Sequence, residues 1–196
     1  MEVEHVVNEI FCLYETYGES SYSEHVSITC HSLECASLAE QDGQPTEVVI
    51  GTFLHDIGHL VGKDQKLETM VSNGTILGTK DHDEVGAAYL RNFGFPKNIC
   101  QLVQGHVQAK RYLVWKHPDY HSKLSDASKN TLLQQGGVMS DFEADKFEKS
   151  EQFDVILKMR KWDEQGKDSE VETPPLQNYK RLCLEYLKGT QEVAKS

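Results

Sequence analysis

The sequence predicts an all-α protein, and three features carry that reading. Apolar residues recur with a 3.6-residue period from end to end, and no segment alternates cleanly with period two between turn residues. Glycines and prolines fall where the periodic stretches stop and start. A first helix is expected over residues 3–17, ending at Gly18. A second runs from about Ser23, a residue suited to an N-cap, to Glu40 before Asp42 and Gly43. Pro45 opens a third, which carries the pair His55-Asp56 near its end. Residues 61–80 hold three glycines and little periodicity; a connection of that length predicts a lid-like loop. The next helix, about 81–93, ends with Gly94, and Pro96 opens another through GHVQAKRYL. Ser125 caps SDASKNTLLQQ before Gly136-Gly137, and Ser140 with Glu143 forms a capping box for the next helix. The remaining helices fall in 141–165 and 175–188, separated by a polar linker with Pro174-Pro175.

At 196 residues the chain fits one domain able to bury a substantial core. A formal net charge of −11 and a pI of about 5.2 argue against a nucleic-acid groove or an anionic membrane surface as partner. An anionic ligand must therefore be caught by a local cluster of cations. No apolar run approaches a membrane span, and MEVEHVVNEI is acidic where a signal peptide would be basic, so a soluble, cytoplasmic protein is expected. Five cysteines in no metal or disulfide spacing read as reduced, mostly buried thiols. Nothing in the sequence fixes an oligomeric state.

Residues 53–60 read FLHDIGHL. Phe53, Leu54, Ile57 and Leu60 share the spacing of one apolar face, so His55 and Asp56 are carried into a core. A charge there must be ion-paired or bound to metal. Four more residues widen the choice: His31 in the second helix, His82 opening the fourth, His106 in the fifth and Asp163 late in KMRKWDEQ. Converging inside a bundle, four imidazoles and two carboxylates suit iron, manganese or zinc and exceed the ligand set of a structural zinc site. If Asp56 bridges with its two oxygens, His31, His55 and Asp163 hold one metal, while His82 and His106 hold the second, leaving open positions on both.

The order H…HD…H…H…D resembles the dinuclear form of the HD-domain superfamily. YSEHVSITCH, HDIGH, DHDEVGAAYL, GHVQAKRYL, LSDASKNTLLQQGG and MRKWDE are similar to the HD-domain mixed-valent diiron oxygenases of organophosphonate catabolism, relatives of myo-inositol oxygenase. That resemblance implies a single HD domain over residues 1–196, a bundle of about seven to eight helices around a dinuclear core. It implies two iron ions in the Fe(II)/Fe(III) state on His31, His55, Asp56, His82, His106 and Asp163. Lys110, Ser128, Thr131 and Arg160 match the phosphonate-binding positions, and the chemistry agrees, since a dianion calls for cations, hydroxyl donors and a planar guanidinium fork. His59, one turn beyond His55, matches a residue that hydrogen-bonds near the oxygen site. Tyr22 and Glu24 resemble a mobile pair that covers the substrate-free iron and then meets the amino end of the substrate, although Ser23 stands where the family often has glycine.

The implied partners are O2 and a small organophosphonate, with no nucleic acid and no membrane. The implied reaction cleaves the carbon–phosphorus bond of a 1-hydroxy-2-aminoethylphosphonate, giving phosphate and glycine or its N-methylated analogue. A dinuclear-metal phosphohydrolase acting on a phosphate ester is the alternative for the same ligands. A non-catalytic scaffold would lack ligands, and none is missing.

Overall fold

The computed structural model describes residues 2–21, 26–168 and 170–193. They form α1 (Val3–Tyr17), α2 (Ile28–Gln41), α3 (Thr46–Phe53), α4 (Ile57–Asp64), β1 (Thr69–Ser72), β2 (Thr75–Thr79), α5 (His82–Asn92), α6 (Lys97–Lys116), α7 (Tyr120–Lys123), α8 (Asp126–Leu132), α9 (Asp141–Glu148), α10 (Phe153–Gln165) and α11 (Leu176–Val193). The all-α expectation holds, apart from one antiparallel hairpin. The described residues hold eleven helices rather than seven or eight, because two of the expected helices are each split and α7 is a single turn.

α6 is the central helix, packed on α3, α5, α9 and α10. Its neighbours close the core around it: α10 lies on α2, α4 on α5, and α1 on α4 and α11. An aromatic stack ties the far side together. The Phe53 ring lies 5.0 Å from Tyr179 and 4.8 Å from Tyr14, whose hydroxyl donates to the Phe53 carbonyl. Phe53, Leu54, Ile57 and Leu60 are all fully buried, as their spacing requires.

Four local differences from the sequence reading bear on the site. Residues 26 and 27 are not helical, and α2 starts at Ile28, capped by the Ser27 hydroxyl accepting from the Cys30 amide; Ser23 lies outside the described residues. His31 consequently sits in the first turn of α2 rather than at its middle. The third helix does not run through the HD pair: α3 stops at Phe53, Leu54 and Asp56 take ψ near zero (0° and 8°), and α4 begins at Ile57. Successive residues of an unbroken helix point about 100° apart. The break is what allows His55 and Asp56 to face one point.

The segment read as a loop over 61–80 is the end of α4 followed by the hairpin, with Ser72 paired to Thr75 across Asn73-Gly74. Both turn residues have positive φ, 50° and 78°, the geometry Asn-Gly favours in a two-residue turn. The stretch 141–165 is likewise two helices, α9 and α10, joined by a turn. The caps at Ser125 and at Ser140 with Glu143 form as expected. No helix among the described residues is long and apolar enough to cross a membrane.

α4 and α5 approach through Gly58 and Gly86. A Cβ on Gly58 would come within 1.8 Å of the His82 carbonyl oxygen, a backbone atom that cannot swing away. Gly58→Ala is therefore expected to destabilise the fold by about 1–3 kcal/mol or more. It should also displace His82, so thermal denaturation and metal content should fall together.

Candidate metal centre and anion pocket

Six side chains from five separate stretches of chain meet in the core: His31 from α2, His55 and Asp56 from the α3–α4 break, His82 from α5, His106 from α6 and Asp163 from α10. Asp56 sits between two pairs of imidazoles. Its Oδ2 lies 3.7 Å from His31 Nε2 and 3.5 Å from His55 Nε2. Its Oδ1 lies 3.6 Å from His82 Nε2 and 3.5 Å from His106 Nε2. Asp163 Oδ1 joins the first pair, at 3.3 Å from His31 and 3.8 Å from His55.

The tautomers test whether these residues suit metal ions. His31, His55 and His106 each place Nδ1 against a backbone carbonyl, of Gly166 (2.5 Å), Thr52 (2.7 Å) and Val103 (2.7 Å) respectively. A carbonyl only accepts, so Nδ1 carries the proton and Nε2 presents a lone pair. The Nε2 atoms of His31 and His55 are 3.2 Å apart, lone pair against lone pair, with two carboxylates beside them. That arrangement calls for a cation. Without one, it draws in a proton: burial disfavours charge on His31, but Cys35 and Asp163 outweigh it and raise that imidazole well above the ordinary range. The Nε2 atoms of His82 and His106 are 2.9 Å apart, and His82 Nδ1 is buried with no hydrogen-bond partner among the described residues.

The remaining protonation states are those that ligation needs. Burial pushes His106 down to about 4 and, together with His59 and His106, holds His82 well below its ordinary value. Burial alone would raise Asp56 and Asp163, but the imidazoles around Asp56, and Arg160 beside Asp163, hold both carboxyls well below the usual range. Neutral His82 and His106, ionised Asp56 and Asp163, and the Nε2 atoms of His31 and His55 turned toward the same shared carboxylate fit a dinuclear metal site.

Next to this cluster lies a cationic corner. Lys110, one turn after His106 on α6, is buried and donates to Thr131 Oγ1 at 2.9 Å and to the Ser128 carbonyl at 3.4 Å. Arg160, one turn before Asp163 on α10, donates Nη1 to Asp163 Oδ2 at 2.5 Å, Nη2 to Ser128 Oγ at 3.5 Å and Nε to Glu164 at 3.0 Å. Ser128 and Thr131 share a face of α8. Burial, then the charge of Arg160, brings Lys110 down to about 7. Metal cluster and cationic corner open into one cavity of about 90 Å³, walled on its apolar side by Val26, Met70, Leu77, Val107 and Ala127.

His59 also lines that cavity. Its ring stacks on His82, with centroids 3.9 Å apart and planes 15° from parallel. Its Nδ1 accepts from the Thr79 amide at 2.9 Å. Gly78, at φ 118°, makes this possible, since a Cβ there would fall 2.4 Å from the imidazole. Burial pushes His59 down to about 4. Tyr22 and Glu24 lie outside the described residues.

The HD domain family matches residues 28–135, a span that contains His31, His55-Asp56, His82 and His106. The chain belongs to the HD-domain family. This HD-domain protein is 38% identical over 172 residues (86% of the chain, 84% of the relative) to the glycine-betaine-forming [1-hydroxy-2-(trimethylamino)ethyl]phosphonate dioxygenase of Leisingera caerulea. It is 33% identical over 183 residues (92% and 89%) to the hydroxymethylphosphonate dioxygenase of Gimesia maris. It is also 40% identical over 186 residues (92% and 81%) to an uncharacterized protein of Acanthamoeba polyphaga mimivirus. The resemblance to HD-domain phosphonate oxygenases therefore holds across nearly the whole chain.

Sequence reasoning did not find the groups that orient the imidazoles. The carbonyls of Thr52, Val103 and Gly166 and the amide of Thr79 are backbone atoms and leave no signature in side-chain type. Cys35, given no chemistry, packs its thiol 3.6 Å from His31 Nδ1. Its spacing four residues after His31 was a usable signal. Lys167, which lines the cavity and donates to Ser125 Oγ at 3.1 Å, carried none.

Proposed function

We propose that this HD-domain protein is an iron-dependent oxygenase that uses O2 to cleave the carbon–phosphorus bond of a 1-hydroxy-2-aminoethylphosphonate. The products are phosphate and glycine, or its N-methylated analogue. The observation that carries this reading is Arg160, whose guanidinium touches both the carboxylate of the metal cluster and the hydroxyl of the anion corner. One ligand can therefore reach both at once. The atoms balance with a single O2 and no external reductant: the substrate carbon ends as a carboxylate and phosphorus leaves as phosphate.

In this reading His31, His55, Asp163 and Asp56 would hold one iron, and His82, His106 and Asp56 would hold the other. The Fe(II)/Fe(III) pair supplies the one-electron chemistry with dioxygen. The chain's own residues do the rest. Lys110, Thr131, Ser128 and Arg160 bind the phosphonate oxygens and fix its orientation toward the cluster. Their two positive charges, added to those of the metals, attract a dianion into a protein whose net charge is −11. His59, with Nδ1 occupied by the Thr79 amide, keeps its proton on Nε2 and offers it as a donor inside the cavity. Met70 and Leu77 of the hairpin, with Val26 and Val107, exclude water. Tyr22 and Glu24 take the role the resemblance implies, at the amino end of the substrate. The Leisingera and Gimesia relatives, both named as phosphonate dioxygenases, support this reading over the phosphohydrolase.

The test is iron-reconstituted protein given 2-amino-1-hydroxyethylphosphonate, with oxygen uptake and phosphate release followed in parallel. Oxygen consumed in step with phosphate and glycine supports the oxygenase. Hydrolysis of phosphate esters without oxygen uptake would replace it with the phosphohydrolase.

Lys110 gives the reading a pH signature. With its ammonium lowered to about 7 in the ligand-free protein, it is charged below that pH and neutral above it. Phosphonate affinity should weaken as pH rises from 7 to 9, by at most about tenfold per unit. In Lys110→Met this alkaline limb should vanish, which calorimetric titration across that range can check.

A further inference from the structure

Gln135 stands apart from the residues assigned so far. It lines the same cavity as Lys110, Thr131 and His59. Its side-chain Oε1 is shut off from solvent and has no hydrogen-bond partner among the described residues. The helical path of α8 runs on past Leu132, since the Gln135 amide donates to the carbonyls of Thr131 (3.0 Å) and Leu132 (3.2 Å). Ser128, Thr131 and Gln135 consequently form one stripe along the cavity wall.

The position of Gln135 is pinned. Gly136 and Gly137, at φ 95° and 69°, turn the chain just after it. Arg111, the neighbour of Lys110 on α6, donates Nε to the Gly137 carbonyl at 2.9 Å and Nη2 to the Gly136 carbonyl at 3.2 Å. The same Nη2 pairs with Glu143 at 2.7 Å. An amide oxygen held at the wall of a cavity without a donor is costly, and a ligand that supplies the donor recovers that cost.

The chemistry of the missing partner follows. A carbonyl oxygen accepts, so the partner is an O–H or N–H group. Ionised phosphonate oxygens are acceptors themselves, and the cations and hydroxyls of Lys110, Arg160, Ser128 and Thr131 already serve them. The donor therefore belongs to the carbon side of the ligand. We propose that Gln135 is a specificity residue whose Oε1 accepts a hydrogen bond from a hydroxyl or ammonium group on the substrate's carbon skeleton. The site thereby selects donor-bearing phosphonates over plain alkyl phosphonates. This inference rests on the cavity being a phosphonate site.

The experiment is calorimetric titration of the metal-loaded, oxygen-free protein with three probes: methylphosphonate, hydroxymethylphosphonate and 2-aminoethylphosphonate. Wild type is compared with Gln135→Met, which removes the acceptor at similar volume, and Gln135→Glu, which keeps it. Gln135→Met should leave methylphosphonate binding within about twofold and weaken at least one donor-bearing probe by about tenfold or more. Which probe weakens tells whether the partner is O–H or N–H. Gln135→Glu should retain the preference, showing that the loss in the methionine variant is not a folding defect. Equal weakening of all three probes, or of none, overturns the inference while leaving the phosphonate site intact. If wild type binds no phosphonate at all, the site reading fails first and the inference falls with it.

Discussion

Asp56→Ala is expected to strip the protein of both metals at once. Each carboxylate oxygen faces a different imidazole pair at 3.5–3.7 Å, so among the described residues Asp56 is the carboxylate that joins the two halves of the cluster. The metal content of the wild type should be about two per chain and should fall below one in the variant. Removing a group that merely orients a ligand costs 10–100-fold, so loss of the shared carboxylate should reduce kcat/KM by about 10³ or more. Asp56→Asn, which keeps one oxygen in place, should retain one ion better than alanine does. Metal analysis beside circular dichroism separates loss of ligation from loss of fold; two metals retained by a folded Asp56→Ala protein would sink the shared-carboxylate assignment.

Arg160→Met should produce the second largest effect, through two routes. The guanidinium is buried, and its removal leaves Asp163 ionised without its nearest cation. Breaking one side of a buried pair costs about 3–5 kcal/mol, which for a chain of this size lowers Tm by roughly 10 °C. The drop should be smaller once metal is bound, because the ion then compensates Asp163. Phosphonate KM should rise about 10²-fold or more, and Arg160→Lys should recover only part of it, since an ammonium cannot form the planar fork. Lys110→Met offers the contrast. Burial and Arg160 already disfavour the lysine's charge, so at neutral pH its replacement should leave Tm unchanged or raise it while KM still rises. Opposite signs on Tm with the same sign on KM would separate the cation that supports the cluster from the one that serves only the ligand.

The cluster of histidines and aspartates was more legible than the fold around it. His31, His55-Asp56, His82, His106 and Asp163 could be picked out because imidazoles and carboxylates within apolar periodicity have few other uses. The grouping of His31, His55 and Asp163 apart from His82 and His106 is the grouping that the distances show. The hairpin was legible and overlooked: Asn73-Gly74 is a strong turn signal, but the flanking strands are too short for alternation to stand out. The break after Phe53 left no such mark, since Leu54 through Ile57 keep helical spacing. Only the crowding of α4 against His82 at Gly58 and the burial of both faces show why the chain turns there.

By itself the sequence determined which residues are chemically able to hold metal and anion, and that the protein is a helical bundle. Those properties follow from side-chain type and from periodicity, which are local. The tertiary structure alone decided which nitrogen of His31 faces the centre and that Arg160 reaches both Asp163 and Ser128. It also decided that the Gln135 oxygen is left without a donor among the described residues. The Gly166 carbonyl at His31, the Thr79 amide at His59 and the Ser128 hydroxyl at Arg160 come from other parts of the chain, and hydrogen-bond partners of that kind are fixed by packing rather than by residue identity.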